Sequence, residues 1–207
     1  MIPPVVGVLL AGGLSRRMGG GDKSLRRLGG KTLLEHVIAR LRPQVAALVL
    51  NANGDPKRFA QFGLPVAADS VPDFAGPLAG VLAGLDWTAE HHPDCAHIVT
   101  VATDAPFLPR DLVARLMDGM TAAGADLACA ASGDQQHPVI GLWPVRRRDE
   151  LRHALIDEGI RKVDVWTGRC KLATIEFSTD PIDPFFNANR PEDLDRAAAL
   201  LAASDAQ

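Results

Sequence analysis

The chain has 207 residues, 47% of them hydrophobic and 23% charged, which is the composition of one well-buried globular domain and argues against disorder. A formal net charge of −3 speaks against general affinity for nucleic acid or an anionic membrane, so any bound phosphate must be met by a local cluster of Arg, Lys and backbone N–H groups. Three scattered cysteines, Cys95, Cys129 and Cys170, form no CxxC pair, which gives no zinc site and suits a reducing compartment.

The first segment, MIPPVVGVLLAGG, carries no basic leader and only a six-residue apolar run, Val5–Leu10, so a cytoplasmic location is expected. That run, with Ala47–Leu50 and Ile98–Ala102, reads as strands buried on both faces. Between them, Leu33, Leu34, Val37, Ile38 and Leu41 share one helical face. Leu78, Val81, Leu82 and Leu85 do the same, and Pro109–Met120 is a third helix with Pro in its first turn. The alternation predicts a doubly wound, mostly parallel α/β sheet of Rossmann-like type. Its ligand is expected at the carboxyl ends of the strands.

Further on, Asp126–Ala131, Pro138–Trp143 and Leu172–Phe177 read as strands and Arg148–Asp157 as a helix. A last helix runs through NRPEDLDRAAALLAA with Pro191 in its first turn and Asn189 as the better cap. No repeat, linker or composition break divides the chain. A single domain over 1–207 is expected, with a nucleotide-binding half over about 1–108 and an acceptor half over about 109–207.

After the first predicted strand comes a glycine-rich loop with Arg16, Arg17 and Lys23. Its glycines fall at 12, 13, 19, 20 and 21, which is not the GxGxxG spacing of a dinucleotide fold. Gly30-Lys31-Thr32 ends like a Walker A loop, but that pattern needs a glycine where Leu25 stands. Thr32 is therefore read as a helix N-cap. What remains is an open loop in which Gly12 and Gly13 admit a ligand close to the backbone, while the arginines offer planar forks and Lys23 an ammonium.

LLAGGLSRRMGGGDKSL matches the LAGGxxxRMGxxK pattern of the glycosyltransferase-A-like nucleotidyltransferases. Over LVLNANGD (48–55), AADS (67–70), GPLAG (76–80), TDAPFLP (103–109), HPVIGLW (137–143) and FNANRPEDL (186–194), the chain resembles the molybdenum cofactor guanylyltransferase family within that group. Gly21 is an extra glycine, and Arg190 stands where the family often has Thr. The resemblance implies a nucleotide-diphospho-sugar transferase fold and GMP transfer from GTP to molybdopterin. Cytidylyl transfer to the same pterin, transfer to a sugar phosphate, and a non-catalytic cofactor carrier are the alternatives.

Such a transfer needs alignment and charge neutralisation, which Mg²⁺, a cationic loop and a hard carboxylate can supply. Asp104 follows a buried strand and is the expected metal ligand, with a turn as its ordinary alternative. Lys23 is expected to bridge the triphosphate and Arg17 to sit beside the transferring or leaving phosphates, unless Arg17 merely braces its loop. By resemblance, Leu10, Ala11 and Gly12 supply a backbone wall, and Asn51 and Asp69 bind GTP. Asn51 and Asp69 each follow a predicted strand, and one carboxylate can accept both guanine edge donors. Gly76 and Gly80, also candidates for the acceptor side, open a helix and permit close approach of a ligand or a neighbouring element, packing alone being the alternative for Gly80. Arg161, Asn187 and Asn189 are candidates for the acceptor, Asn189 being equally a helix cap. His137 is a candidate polar contact only. Transient contact with molybdenum-insertion or delivery proteins is the remaining partner implied, with no nucleic acid and no membrane.

Overall fold

β1 (Val5–Leu10) lies inside a seven-stranded sheet, and its side chains alternate between two separate cores. Val5 and Leu9 face one core and Val6 and Val8 the other, as a strand covered on both faces must. This is a computed structural model in which residues 3–12, 22–71, 76–188 and 191–204 are described.

A small hairpin of β2 (Arg27–Leu28) and β3 (Lys31–Thr32) leads into α1 (Leu33–Leu41). Thr32 and Glu35 form a reciprocal cap there: Glu35 N donates to Thr32 Oγ1 at 3.1 Å, and Thr32 N donates to Glu35 Oε2 at 2.6 Å. The Walker-like tripeptide is thus a hairpin strand and a cap. Next come β4 (Ala47–Asn51), β5 (Val66–Ala67), α2 (Pro77–His91) and β6 (His97–Ala102). They are followed by α3 (Leu112–Ala123), β7 (Leu127–Ser132), β8 (Gln135–Pro144) and α4 (Arg148–Ile156). The chain closes with α5 (Val163–Thr167), β9 (Leu172–Glu176) and α6 (Pro191–Ser204).

The strand order is β5-β4-β1-β6-β8-β7-β9, and all pairings are parallel except those of β8 with β6 and β7. The expected mostly parallel α/β sheet is therefore present. α1 and α3 pack on one face, α2 and α4 on the other.

Two details differ from the sequence expectation. The third helix starts at Leu112, not Pro109, because Gln44 holds the preceding segment outside it: its Nε2 donates to Pro109 O at 2.8 Å, and its Oε1 accepts from Val113 N at 3.0 Å. β8 starts at Gln135, not Pro138, because it forms a hairpin with β7 through Gly133 (φ 52°) and Asp134 (φ 62°), a pair of positive φ angles suited to a two-residue turn. The returning strand then inserts between β6 and β7.

α2 approaches the sheet unusually closely. A Cβ on Gly84 would lie 2.6 Å from Val8 Cγ2 and 2.9 Å from Val8 Cγ1. Gly84→Ala should therefore lower stability by about 1–3 kcal/mol through overpacking, although alanine gains up to about 1 kcal/mol in helix propensity. Urea unfolding measures the balance, and an unshifted midpoint would mean that α2 and β1 separate without cost.

Candidate active site

Four chain segments leave the sheet at its carboxyl edge and converge. β1 passes into Ala11 and Gly12, β4 ends on Asn51, Asp69 follows β5, and Asp104 follows β6. The chain runs from β1 to β4 on one side and later crosses from β5 to β6 on the other. This is the switch point at which open α/β sheets bind ligands.

At the β6 end, Lys23 Nζ donates to Asp104 Oδ2, with the two side chains only 17% and 18% exposed. Lys23 opens a short 3₁₀ turn, Lys23–Leu25. The hydroxyl of Ser24 beside it is buried without a hydrogen-bond partner among the described residues. Thr103 Oγ1 donates to Leu10 O at 3.2 Å, which fixes the Asp104 turn against the end of β1. Ala188 N donates to Asp104 O at 3.1 Å, so exposed Asn187 is carried to the same corner. Three sequence candidates from distant parts of the chain, Lys23, Asp104 and Asn187, thus share one place.

The other end is built around Asp69. Asn51 Nδ2 donates to Asp69 Oδ1 at 2.9 Å and to Ala67 O at 3.2 Å. Asn53 Nδ2 donates to Asp69 Oδ2 at 2.7 Å, and Asp69 N returns a bond to Asn53 Oδ1 at 2.9 Å. Both carboxylate oxygens are therefore held by amide donors, and the remaining lone pairs can accept further donors. Asn51 is only 3% exposed, whereas Asp69 is half-buried. Ala11 N donates to Asn51 O at 2.9 Å, which joins this end to the backbone of Leu10–Gly12.

Gly80 belongs to the same corner. A Cβ there would overlap Asn51 Oδ1 and lie 2.8 Å from Leu10 Cδ2, so this glycine makes room for Asn51. Gly76 precedes α2, and a Cβ on it would lie 3.7 Å from Arg161 O; these two candidates also meet. Arg161 Nη1 donates to Leu155 O at 3.0 Å and to Ile160 O at 3.1 Å, bracing its own loop. Arg16, Arg17 and Asn189 lie outside the described residues.

Sequence reasoning passed over Asn53, although residues i and i+2 of extended chain share a face and NAN displays that spacing. It also passed over Arg58, whose Nε lies 3.3 Å from Asp22 Oδ2 and whose Nη2 donates to Asn53 O. His137 is set in a buried polar chain. Its Nε2 lies 2.9 Å from Ser132 Oγ, which donates to Asp183 Oδ1 at 2.9 Å. Asp183 Oδ1 also accepts from Phe185 N at 2.9 Å, and the His137 ring packs against Phe185 with centroids 4.8 Å apart. This cluster therefore supports the segment that brings Asn187 to Asp104.

Comparison with known proteins gives a consistent picture. The family described as "MobA-like NTP transferase domain" matches residues 7–170. The molybdenum cofactor guanylyltransferase of Nitrobacter hamburgensis (strain DSM 10229 / NCIMB 13809 / X14) is 60% identical over 201 residues, covering 97% of this chain and 96% of the relative. That of Bradyrhizobium sp. (strain ORS 278) is 62% identical over 201 residues, covering 97% and 95%. Among solved structures, molybdopterin-guanine dinucleotide biosynthesis protein A from Archaeoglobus fulgidus superposes with a TM-score of 0.72 at 26% identity, covering 96% of this chain and all of that one.

Two histidines, half-buried His97 and buried His137, contribute to the acid response of the fold. Burial pushes His97 below the ordinary 6.5, reinforced by the nearby Arg146 charge. Burial also lowers His137, opposed by the Asp183 and Glu176 carboxylates. The unfolded chain then binds more protons below about pH 6.5, so stability falls as pH drops through that window and is level above it. Thermal melts from pH 8 to pH 5 should show this slope, and His137→Asn should reduce it; an equal slope in the variant would remove His137 as a contributor.

Proposed function

Since the chain belongs to the MobA-like NTP transferase family, we propose that it transfers GMP from GTP to the terminal phosphate of molybdopterin, releasing pyrophosphate and forming the guanine dinucleotide cofactor. It is a nucleotidyltransferase. The observation that carries the reading is the pairing of two differently built ends across one sheet edge. Lys23 with Asp104 forms one end, and Asp69 held by two asparagine amides forms the other.

The Asp69 end suits guanine. Guanine presents N1–H and the 2-amine as adjacent donors, and a carboxylate with its oxygens already oriented can accept both. Cytosine offers an acceptor where guanine has N1–H and would face the carboxylate with like polarity. Asn51, being buried, acts by orienting Asp69, and Leu10–Gly12 supply the wall.

At the other end, Lys23 would engage triphosphate oxygens as a compact ammonium. Asp104 fits a Mg²⁺ carried in by the triphosphate: it is one partly exposed carboxylate, and no group of three His, Cys, Asp or Glu side chains suited to a metal occurs among the described residues. Magnesium commonly takes one or two carboxylates together with substrate oxygens. Bound there, it would neutralise charge on the separating phosphates. The acceptor phosphate oxygen attacks the α-phosphorus in line; its new P–O bond forms as the bond to the β-phosphate oxygen breaks, and pyrophosphate departs. Asn187, exposed beside Asp104, and Arg161, at the mouth of α2, lie on the acceptor side. The free thiols Cys95, Cys129 and Cys170 suit the reducing cytoplasm in which we place the protein. No helix among the described residues is long and apolar enough to cross a membrane.

Purified protein with molybdopterin, Mg²⁺ and each of the four NTPs tests the reading by pyrophosphate release and by the nucleotide attached. GTP should be used best; faster turnover of CTP would end the guanylyl assignment. Asp104→Asn should lower Mg²⁺-dependent pyrophosphate release by about 10²-fold or more, with nucleotide binding largely kept. Unchanged release would remove Asp104 from the metal role. Asp69→Asn should cost GTP about 10–100-fold in kcat/KM, the order of one or two hydrogen bonds to a charged group.

A further inference from the structure

Arg58 touches Asn53 at one end of the site, and its contact with Asp22 leads to the other. It sits in the 3₁₀ turn Pro56–Phe62, which is capped by Asp55 Oδ1 on Lys57 N at 2.9 Å and closed by Gly63 in the left-handed region (φ 59°). The next residue, Phe59, is 1% exposed and belongs to the core under the sheet. The turn is thereby anchored. The Arg58 guanidinium lies 4.9 Å from the Phe59 ring centroid, and Gly54 runs alongside it with a positive φ of 86°.

From this fixed position the guanidinium points two ways. Nη2 donates to the carbonyl of Asn53, whose side chain makes the two-way pairing with Asp69. Nε faces Asp22 Oδ2 at 3.3 Å, and Asp22 directly precedes Lys23, the partner of Asp104. An exposed ion pair contributes little by itself. A planar fork packed on a ring, hydrogen-bonded to one loop and ion-paired with another, is a spacer, because it fixes their separation.

We propose that Arg58 is a positioning residue that couples base recognition to the transfer step, by fixing the Asn53–Asp69 corner at a set distance from the Lys23 loop. The proposal rests on the guanylyl-transfer reading above. The base lies far from the reacting phosphorus, so its contacts raise kcat only if they are rigidly connected to the groups that hold the phosphates. Without the connection, the same contacts would tighten binding alone.

The test compares GTP with ITP, whose base lacks the 2-amine, in steady-state transfer to molybdopterin. Wild type should favour GTP in kcat by about tenfold, the scale of one hydrogen bond to a carboxylate. Arg58→Ala should remove most of that preference, mainly by lowering kcat with GTP. Asp22→Asn is the decisive variant, since Asp22 is linked to the base corner through Arg58. It too should bring the GTP/ITP ratio of kcat towards one, and the double variant should be no worse than Arg58→Ala within about twofold. The proposal is overturned if Asp22→Asn lowers kcat for both nucleotides by the same factor, or if the double variant shows the product of the single losses. A merely structural defect would give those results. If wild type does not transfer GMP from GTP at all, the guanylyl reading fails instead. Should Arg58→Ala not fold, the ratio in Asp22→Asn still decides.

Discussion

The contact on which the site most depends is the one between Gly80 of α2 and Asn51 at the end of β4. Any side chain at position 80 would occupy the volume of Asn51 Oδ1. Because that space is open, a buried asparagine can stand at the switch point with its amide turned to Asp69 and Ala67. Gly84, one turn further along, lets the helix rest on Val8, so the same close approach that packs the sheet also seats the polar group. A buried amide is tolerable only when hydrogen-bonded. Asn51 therefore commits the fold to placing Asp69 next to it.

The protein as a whole is weakly acidic, with a formal charge of −3, and anion binding has to be a local matter. The described site answers this by placing cations on fixed partners. Lys23 is paired with Asp104, and Arg58 is held between Asp22 and the Asn53 carbonyl. Side chains so restrained lose less conformational freedom on meeting a ligand than solvated ones would.

The sheet was legible because its strands are apolar on both faces, and the Thr32 cap because its box is local in sequence. The candidate site was legible wherever a residue ends or follows a strand, as Asn51, Asp69 and Asp104 do. What could not be read was pairing at a distance. The insertion of β8 between β6 and β7 depends on register and on the turn at Gly133-Asp134, and the start of α3 on Gln44, which lies 69 residues from its partner Val113. Asn53 carried a local signal in its i, i+2 spacing. Arg58 carried none, since its meaning comes from Asp22 and Asn53 arriving at the same point from separate loops.

The Lys23–Asp104 pair fits the proposed chemistry for a reason of charge. Both groups are more than four-fifths buried, and a lone charge in such surroundings is costly, whereas a pair compensates itself. A triphosphate with its divalent cation offers each member a new partner of the right sign, phosphate oxygen for the ammonium and cation for the carboxylate. On the proposed reaction, binding would therefore exchange one set of opposite-charge partners for another, at two residues that lie 81 positions apart in the chain.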